Sequence, residues 1–254
     1  EAPWRLGFWS LIVTQFQGAF SDNALKNLVL FGVLAMGLPE GQRQSMAFWI
    51  GTLFSLPFIL FSMAGGYLAD KYSKRSVTIG TKALEILVML LALAGLASGN
   101  LMAQLASVFL ISTQAALFGP SKYGLLPELV SPEQLSWGNG ILELGTFLAI
   151  ITGTMAAGIL AEAFGTRQFW SGAILVALAA TGLGTSFGIR RVPPADPGKR
   201  FRLNMLGDLV QQARYILPDR VLYLAVLGNT YFWFLAALLQ TNILFYSEDF
   251  LHVG

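Results

Sequence analysis

The chain has 254 residues, of which 55% are hydrophobic and only 12% are charged, and its mean hydropathy is +0.62. Soluble domains carry roughly 25% charged residues, so this composition excludes an ordinary soluble globular protein. The net charge of +2 identifies no acidic partner, and we expect no nucleic-acid partner, metal or cofactor.

Seven stretches are apolar enough, and long enough, to cross the hydrocarbon core of a bilayer, which takes about 20 residues. They are residues 8–38, 45–68, 77–97, 102–126, 137–164, 169–189 and 221–246. The sequence therefore predicts an all-α integral membrane protein that crosses the membrane several times.

The charges between these stretches predict the orientation. Basic residues cluster on one side, at Arg5, Lys71, Lys74, Arg75, Arg190, Arg191, Lys199, Arg200, Arg202, Arg214 and Arg220. The connections on the other side hold few, such as Arg43 and Arg167. The positive-inside rule places the N-terminus in the cytoplasm and Gly254 on the outer side.

The domain organisation follows from the same pattern. We predict a six-span bundle over residues 1–189, a cytoplasmic linker with an amphipathic helix over 190–220, and a seventh span within 221–254. The helix in the linker either lies at the membrane interface or is a solvated tether packed on the protein. Six spans, a basic linker and a seventh span suggest a six-plus-six design, so we expect the rest of the second bundle to follow in the same protein.

The loop after the second span carries the most specific motif. Residues 66–75 read GYLADKYSKR, with a glycine, an acid after Leu-Ala, and paired basic residues. This segment resembles the loop signature of the major facilitator superfamily, in motif and in position. The resemblance implies the fold of that superfamily and a conformational latch in which Asp70 meets a helix N-terminus of the partner bundle. Its residues would be Gly66, Asp70, Lys71, Lys74 and Arg75. The alternative is a basic loop that only sets the topology.

Three further segments narrow the resemblance. They are 15–25 (QFQGAFSDNAL), 119–129 (GPSKYGLLPEL) and 139–143 (NGILE). Together they resemble the bacterial lysophospholipid transporter family of the inner membrane. This implies inward movement of lysophospholipids, such as lysophosphatidylethanolamine, by alternating access. Some relatives are fused to an acyltransferase and an acyl-carrier-protein synthetase, which would then be partners in re-acylation.

Charged residues inside spans cost about 3 kcal/mol or more at the helix centre, so each needs a physical reason. Asp22 lies about halfway along the first span, with Asn23 beside it and Lys26 one turn away. Asp22 and Lys26 either form an internal ion pair or open to receive a zwitterionic headgroup. Because transporter sites lie near the midplane, we predict that all three bind substrate.

Two charges in later spans complete the predicted site. Lys122 follows Gly119-Pro120, where we expect the fourth helix to kink or break, and it binds a lipid phosphate or snorkels to the interface. Glu143 lies about two turns inside the fifth span and either pairs with Lys122 or meets an ethanolamine ammonium. Lys82 and Glu85 are left out of the site, because an intrahelical pair near the cytoplasmic end accounts for them.

Two rival functions remain open from the sequence. A proton-driven exporter of drugs or metabolites with the same fold would also use a buried Asp22 or Glu143. Alternatively, the spans serve chiefly as a membrane anchor and lipid-delivery module for a fused acyltransferase. We expect no catalytic residue within this segment.

Overall fold

The computed structural model describes residues 3–200 and 205–249, and this part of the chain is helical with no strand. The long helices are α1 (Pro3–Leu34), α2 (Glu40–Lys71), α3 (Lys74–Ser98), α4 (Leu101–Leu129), α5 (Leu135–Phe164), α6 (Phe169–Ser186), α7 (Met205–Ile216) and α8 (Arg220–Asp249). A short 3₁₀ helix, Pro132–Gln134, precedes α5. The chain divides into two compact units, Glu1–Arg200 with α1–α6 and Phe201–Gly254 with α7 and α8.

Six of the described helices are long and apolar enough to cross a membrane, namely α2 to α6 and the Arg220–Leu239 part of α8. The predicted all-α, multi-pass membrane protein is therefore confirmed. The first of the seven predicted spans differs: α1 has 32 residues, but it does not reach the hydropathy of a span. Its position explains the difference, because α1 packs against α4, α5 and α6. A helix enclosed by others can carry polar side chains that lipid would not tolerate.

The six helices of the first unit pack in a pattern that repeats. The most extensive contacts join α1 to α5 and α2 to α4, followed by α3 to α4, α3 to α6 and α1 to α6. These pairs map onto one another when α1, α2 and α3 are matched with α4, α5 and α6. An internal repeat of three helices is a common plan of membrane transporters, which place their binding sites between repeats.

Helix α4 runs without interruption from Leu101 to Leu129 although it contains Pro120 and Pro127. Of the kink or break predicted at Pro120, the break is therefore not formed. Proline at 120 has no N–H for the carbonyl of Ala116, and α2 comes close to α4 at this point. A Cβ added to Gly65 would lie 2.7 Å from the Ala116 oxygen. Packing of Gly65 against the freed carbonyl covers it and lets the helix continue.

The second unit holds the short α7 and the helix of the predicted seventh span, α8. Asp219 caps α8, because its Oδ1 accepts hydrogen bonds from the N–H groups of Val221 (2.9 Å) and Leu222 (3.1 Å). Residues 1–2, 201–204 and 250–254 lie outside the described residues, and they include Gly254, which the sequence places on the outer side.

Candidate substrate site and latch

Helix α1 carries many buried polar side chains, all between residues 14 and 27. Those that are at least nine-tenths buried are Thr14, Gln15, Gln17, Ser21, Asp22, Asn23 and Asn27. Several reach neighbouring helices: Gln15 Nε2 donates to the Leu142 carbonyl of α5 at 3.1 Å, and Asn27 Nδ2 donates to Thr154 Oγ1 of α5 at 2.9 Å. Helix α1 therefore contributes a row of buried polar side chains to the packing of the bundle.

Asp22, Asn23 and Lys26 lie together on α1, but not as the ion pair considered from the sequence. The Nζ of Lys26 donates to Asn23 Oδ1 at 3.3 Å and lies 4.7 Å from the ring centroid of Phe54 on α2. Asp22 Oδ1 is buried and has no hydrogen-bond partner. Among the residues that the structure describes, no salt bridge joins Asp22 to Lys26. An unpartnered carboxylate oxygen in a protein interior is costly and calls for a functional reason.

Lys122 and Glu143 are connected through Tyr123. The Tyr123 hydroxyl donates to Glu143 Oε1 at 3.0 Å, and Lys122 Nζ lies 4.6 Å from the Tyr123 ring centroid. The direct Lys122–Glu143 pair that the sequence offered as one alternative is not formed within 4.0 Å in the described part of the chain. Tyr123 is a contact that sequence reasoning missed, although it lies next to Lys122.

Electrostatics links the two groups across helices α1 and α4. The charges of Glu85 and Lys82 act most strongly on the carboxyl of Asp22, followed by those of Lys122 and Lys26, and the charge of Glu143 acts on Lys122. Asp22 thus lies within electrostatic range of two lysines, Lys26 and Lys122, and also of the buried pair of Lys82 and Glu85, while Glu143 acts on Lys122. This arrangement of one negative and two positive side chains suits a ligand that carries both a phosphate and an ammonium.

A second charged cluster, which we call the buried clamp, joins α1 to α3 and consists of Gln17, Ser21, Lys82 and Glu85. Lys82 Nζ donates to Glu85 Oε2 at 2.6 Å and to Gln17 Oε1 at 3.0 Å. Gln17 Nε2 donates to Glu85 Oε1 and to Ser21 Oγ, both at 2.8 Å. The side chains of Lys82 and Glu85 are 0% exposed.

The predicted Lys82–Glu85 pair on α3 is therefore present, but its burial and its link to α1 were missed. Small residues make the room for it, since a Cβ on Gly18 would lie 2.6 Å from Lys82 Nζ. The clamp joins α1 to α3 with both charges balanced and hydrogen-bonded, which is the condition for a stable buried pair. It fixes the helix that carries Asp22.

The predicted latch lies where α2 ends and α3 begins, and its charged side chains have partners within the first unit. Lys199 Nζ donates to Asp70 Oδ2 at 2.6 Å, and the N–H of Asp196 donates to the Asp70 carbonyl at 2.8 Å. The segment after α6 is thus fastened to the end of α2. The helix N-terminus that the resemblance implies for Asp70 is not among these contacts.

Two basic residues of the latch bind the ends of other helices. Lys74, which is nine-tenths buried, forms a salt bridge with Glu128 near the end of α4. Arg75 donates from its terminal nitrogen to the Phe187 carbonyl at 3.0 Å, just past α6, where a cation complements the helix dipole.

Lys71 Nζ donates to the Tyr67 hydroxyl at 2.6 Å. At Gly66 an added Cβ would meet nothing within 4 Å, so Gly66 makes no close contact there.

Comparison with known proteins adds three findings. The family model of the Major Facilitator Superfamily matches residues 7–253. Two curated relatives named lysophospholipid transporter LplT are each 30% identical to the chain. The protein from Pectobacterium carotovorum aligns over 88% of this chain and 52% of its own length. That from Escherichia coli K12 aligns over 91% and 55%. The chain spans about half the length of the curated relatives it matches.

Solved transporters share the fold of the chain. A POT family transporter in complex with 5-aminolevulinic acid has a TM-score of 0.60 at 18% identity, covering 89% of this chain and 47% of that one. A peptide transporter POT in complex with sulfate has a TM-score of 0.62 at 18% identity, covering 87% and 45%. At this level of identity the similarity concerns the fold alone.

Proposed function

Because the chain belongs to the major facilitator superfamily, we propose that the full-length protein moves lysophospholipids across the bacterial inner membrane and that this chain supplies its first bundle. The observation that carries the proposal is the group of Asp22, Lys26 and Lys122, in which Asp22 is buried and has a carboxylate oxygen without a hydrogen-bond partner. The substrate class is taken from the relatives, which are 30% identical and are named lysophospholipid transporters.

The chemistry of a lysophospholipid fits this group. The head is the part that is costly to move through hydrocarbon, whereas the single tail is not. In a lysophosphatidylethanolamine, Asp22 would accept from the ammonium, Asn23 would offer a donor and an acceptor, and the lysines at 26 and 122 would bind the phosphate. Glu143, held by Tyr123 at 3.0 Å, would serve a second ammonium contact or orient Lys122.

Transport would proceed by alternating access, inward from the outer leaflet. Asp70, with Lys71, Lys74, Arg75 and Gly66, would form the latch on the cytoplasmic side, which is the side that the basic loops predict for the N-terminus. In the described unit Asp70 is already fastened to Lys199 at 2.6 Å. Opening would therefore exchange this ion pair for one with the remainder of the second bundle.

Partner enzymes belong to the same proposal. Lysophospholipids delivered to the inner leaflet need an acyl donor and an acyltransferase before they become membrane lipids again. Those activities would come from domains fused to this protein or from associated enzymes, with an acyl-carrier-protein synthetase supplying the activated acyl group. A lysolipid carrier upstream of such enzymes needs no catalytic residue of its own.

The proposal is tested with the full-length protein in liposomes. Lysophosphatidylethanolamine is added to the outer leaflet, and albumin, which extracts lysolipid from that leaflet, reports how much has moved inward. We expect the protein to protect the lysolipid from extraction by albumin. A diacyl phosphatidylethanolamine, whose position is followed with a reagent that labels its headgroup, should not be moved inward. Liposomes with heat-inactivated protein give the background.

The rival exporter makes the opposite prediction in the same liposomes, and the buried Asp22 is the observation that favours it. A proton-driven exporter would expel a cationic dye when a pH gradient is imposed and would leave the lysolipid extractable. That pair of results would overturn the lysophospholipid proposal. If the chain acted only as an anchor for an acyltransferase, neither the lysolipid nor the dye would move, which would contradict both carrier functions.

A further inference from the structure

A cavity of about 600 Å³ lies at the end of the first unit where α2 ends and α3 begins, away from the Asp22 group. Its lining residues are Lys71, Tyr72, Ser73, Ser76, Arg191, Val192, Pro193 and Pro194. This volume is within the range of about 300–1,000 Å³ that is typical of small-molecule sites. The two charged residues in the lining are both basic.

Two acids at this end of the unit are already engaged by other lysines. Asp70 binds Lys199, and Glu128 binds Lys74. Lys71 donates to a neutral phenol, that of Tyr67. In the described part of the chain Arg191 is exposed and forms no salt bridge. Within the described residues, neither cation that lines the cavity therefore has a salt-bridge partner within 4.0 Å, and the nearby carboxylate of Asp196 accepts from the N–H of Gly198.

Ser73 adds a hydrogen-bonding group that has no protein partner. It precedes α3 at the position where a serine usually caps the helix, yet its side chain makes no capping hydrogen bond. Its Oγ is buried and without a hydrogen-bond partner. The 25-residue helix α3 thus begins in the cavity wall with a free hydroxyl and an uncapped first turn. A phosphate oxygen in the cavity would cap the first turn, and it would also accept from the Ser73 hydroxyl once that side chain rotates towards it.

The lining has two chemical halves. Lys71, Ser73, Ser76 and Arg191 offer donors and positive charge, whereas Tyr72, Val192 and the two prolines offer apolar surface. A free phosphate would use only the first half. A phospholipid would use both, with its phosphate on the basic side and its glycerol ester region against the apolar side. The position at helix ends is also where lipid headgroups lie, and basic residues there attract anionic lipids.

We propose that this cavity binds the phosphate headgroup of an anionic phospholipid, at a site separate from that of the transported lipid. The Arg191 guanidinium holds the phosphate with paired donors, Lys71 adds a second charge, and Ser73 donates through its hydroxyl. The bound lipid joins the α2–α3 connection to the segment after α6, which is also fastened there by Asp70 and Lys199.

The test uses the full-length protein in detergent and a short-chain, water-soluble phosphatidylglycerol as the probe. Binding is measured by isothermal titration, so the result does not depend on transport. We expect Arg191→Gln to weaken binding by about tenfold, the factor for losing a charge-assisted hydrogen bond, and Ser73→Ala to weaken it less. Arg190→Gln is the matched control, because it removes the same charge one residue away, outside the lining.

Further measurements distinguish a lipid site from a general anion site and from a loss of folding. An unchanged thermal unfolding temperature of Arg191→Gln without lipid shows that the fold is intact, and Ser73→Ala gives a second, uncharged variant. Inorganic phosphate should bind much more weakly than the short-chain lipid. Equal losses in Arg190→Gln and Arg191→Gln, equal affinity for inorganic phosphate, or no binding of phosphatidylglycerol would each overturn the proposal.

Discussion

Replacing Lys82 with methionine is expected to destabilise the full-length protein by about 3–5 kcal/mol, the cost of leaving a buried charge without its partner. Lys82 and Glu85 are 0% exposed and 2.6 Å apart, and Gln17 Oε1 also loses its donor in this variant. The unfolding temperature in detergent, followed by the loss of the monodisperse peak in size-exclusion chromatography, measures the effect. The double variant Lys82→Met, Glu85→Met should recover much of the loss, because no unpaired charge remains.

The matched control is Lys199→Met, which breaks a pair with the same nitrogen–oxygen distance of 2.6 Å to Asp70. Those side chains are 41% and 42% exposed, so the expected loss is at most about 1 kcal/mol. If Lys82→Met and Lys199→Met unfold at the same temperature as the wild type, the buried clamp does not hold α1 to α3. A double variant no more stable than Lys82→Met would contradict the role given to the unpaired buried charge.

The substitution Asp22→Asn is expected to lower lysophospholipid transport roughly tenfold to a hundredfold while leaving the unfolding temperature unchanged or higher. A charge-assisted contact with the substrate is worth about 1.5–3 kcal/mol, which sets the loss of transport. Stability should not fall, because Asp22 Oδ1 is buried without a hydrogen-bond partner in the protein. The neutral amide has nearly the same shape as the carboxyl group, and it costs less free energy to bury than an ionised carboxylate.

Two further variants make this result specific. Lys122→Met should lower transport by a similar factor, since it removes the phosphate contact, and Glu162→Gln should have no effect, because Glu162 is exposed at the far end of α5. Transport is measured in liposomes with the albumin assay, at equal amounts of folded protein. Undiminished transport in both Asp22→Asn and Lys122→Met would remove these residues from the site.

Much of the fold was predictable because hydropathy is a local property. Each predicted stretch corresponds to a helix, and the motif at 66–75 spans the junction of α2 and α3, with residues 66–71 in α2 and 74–75 in α3. Helix α1 shows the limit of the method. Its polar residues make it less apolar than a span, and only the packing of α4, α5 and α6 around it explains how a bundle accommodates them.

Contacts between distant residues were not predictable in the same way. Gln17 meets Lys82 and Glu85 across 65 and 68 positions of the sequence, so no spacing rule indicates the buried clamp. A depth argument could have found it. At 1.5 Å per residue, Lys82 is roughly 12 Å along α3 from Lys74, too deep for a charge that simply reaches the interface.

The site shows the same division. The charges at Asp22, Lys26, Lys122 and Glu143 were identifiable because charged residues in spans are costly and rare. The residues that contact these charges were not identifiable from the sequence, which suggested ion pairs. Lys26 instead contacts Asn23 and Phe54, and Glu143 accepts a hydrogen bond from Tyr123. Pro120 was expected to kink or break α4, but the helix is not interrupted there, and Gly65 of the neighbouring helix covers the freed carbonyl.

The most direct test of substrate recognition is an experimental structure of the full-length protein with lysophosphatidylethanolamine. We expect the headgroup to lie between α1 and α4, with the ammonium within hydrogen-bond distance of Asp22 and the phosphate beside Lys122. A headgroup bound elsewhere, with Asp22 Oδ1 still lacking a partner, would contradict the central claim that this enclosed charged group recognises the transported lipid.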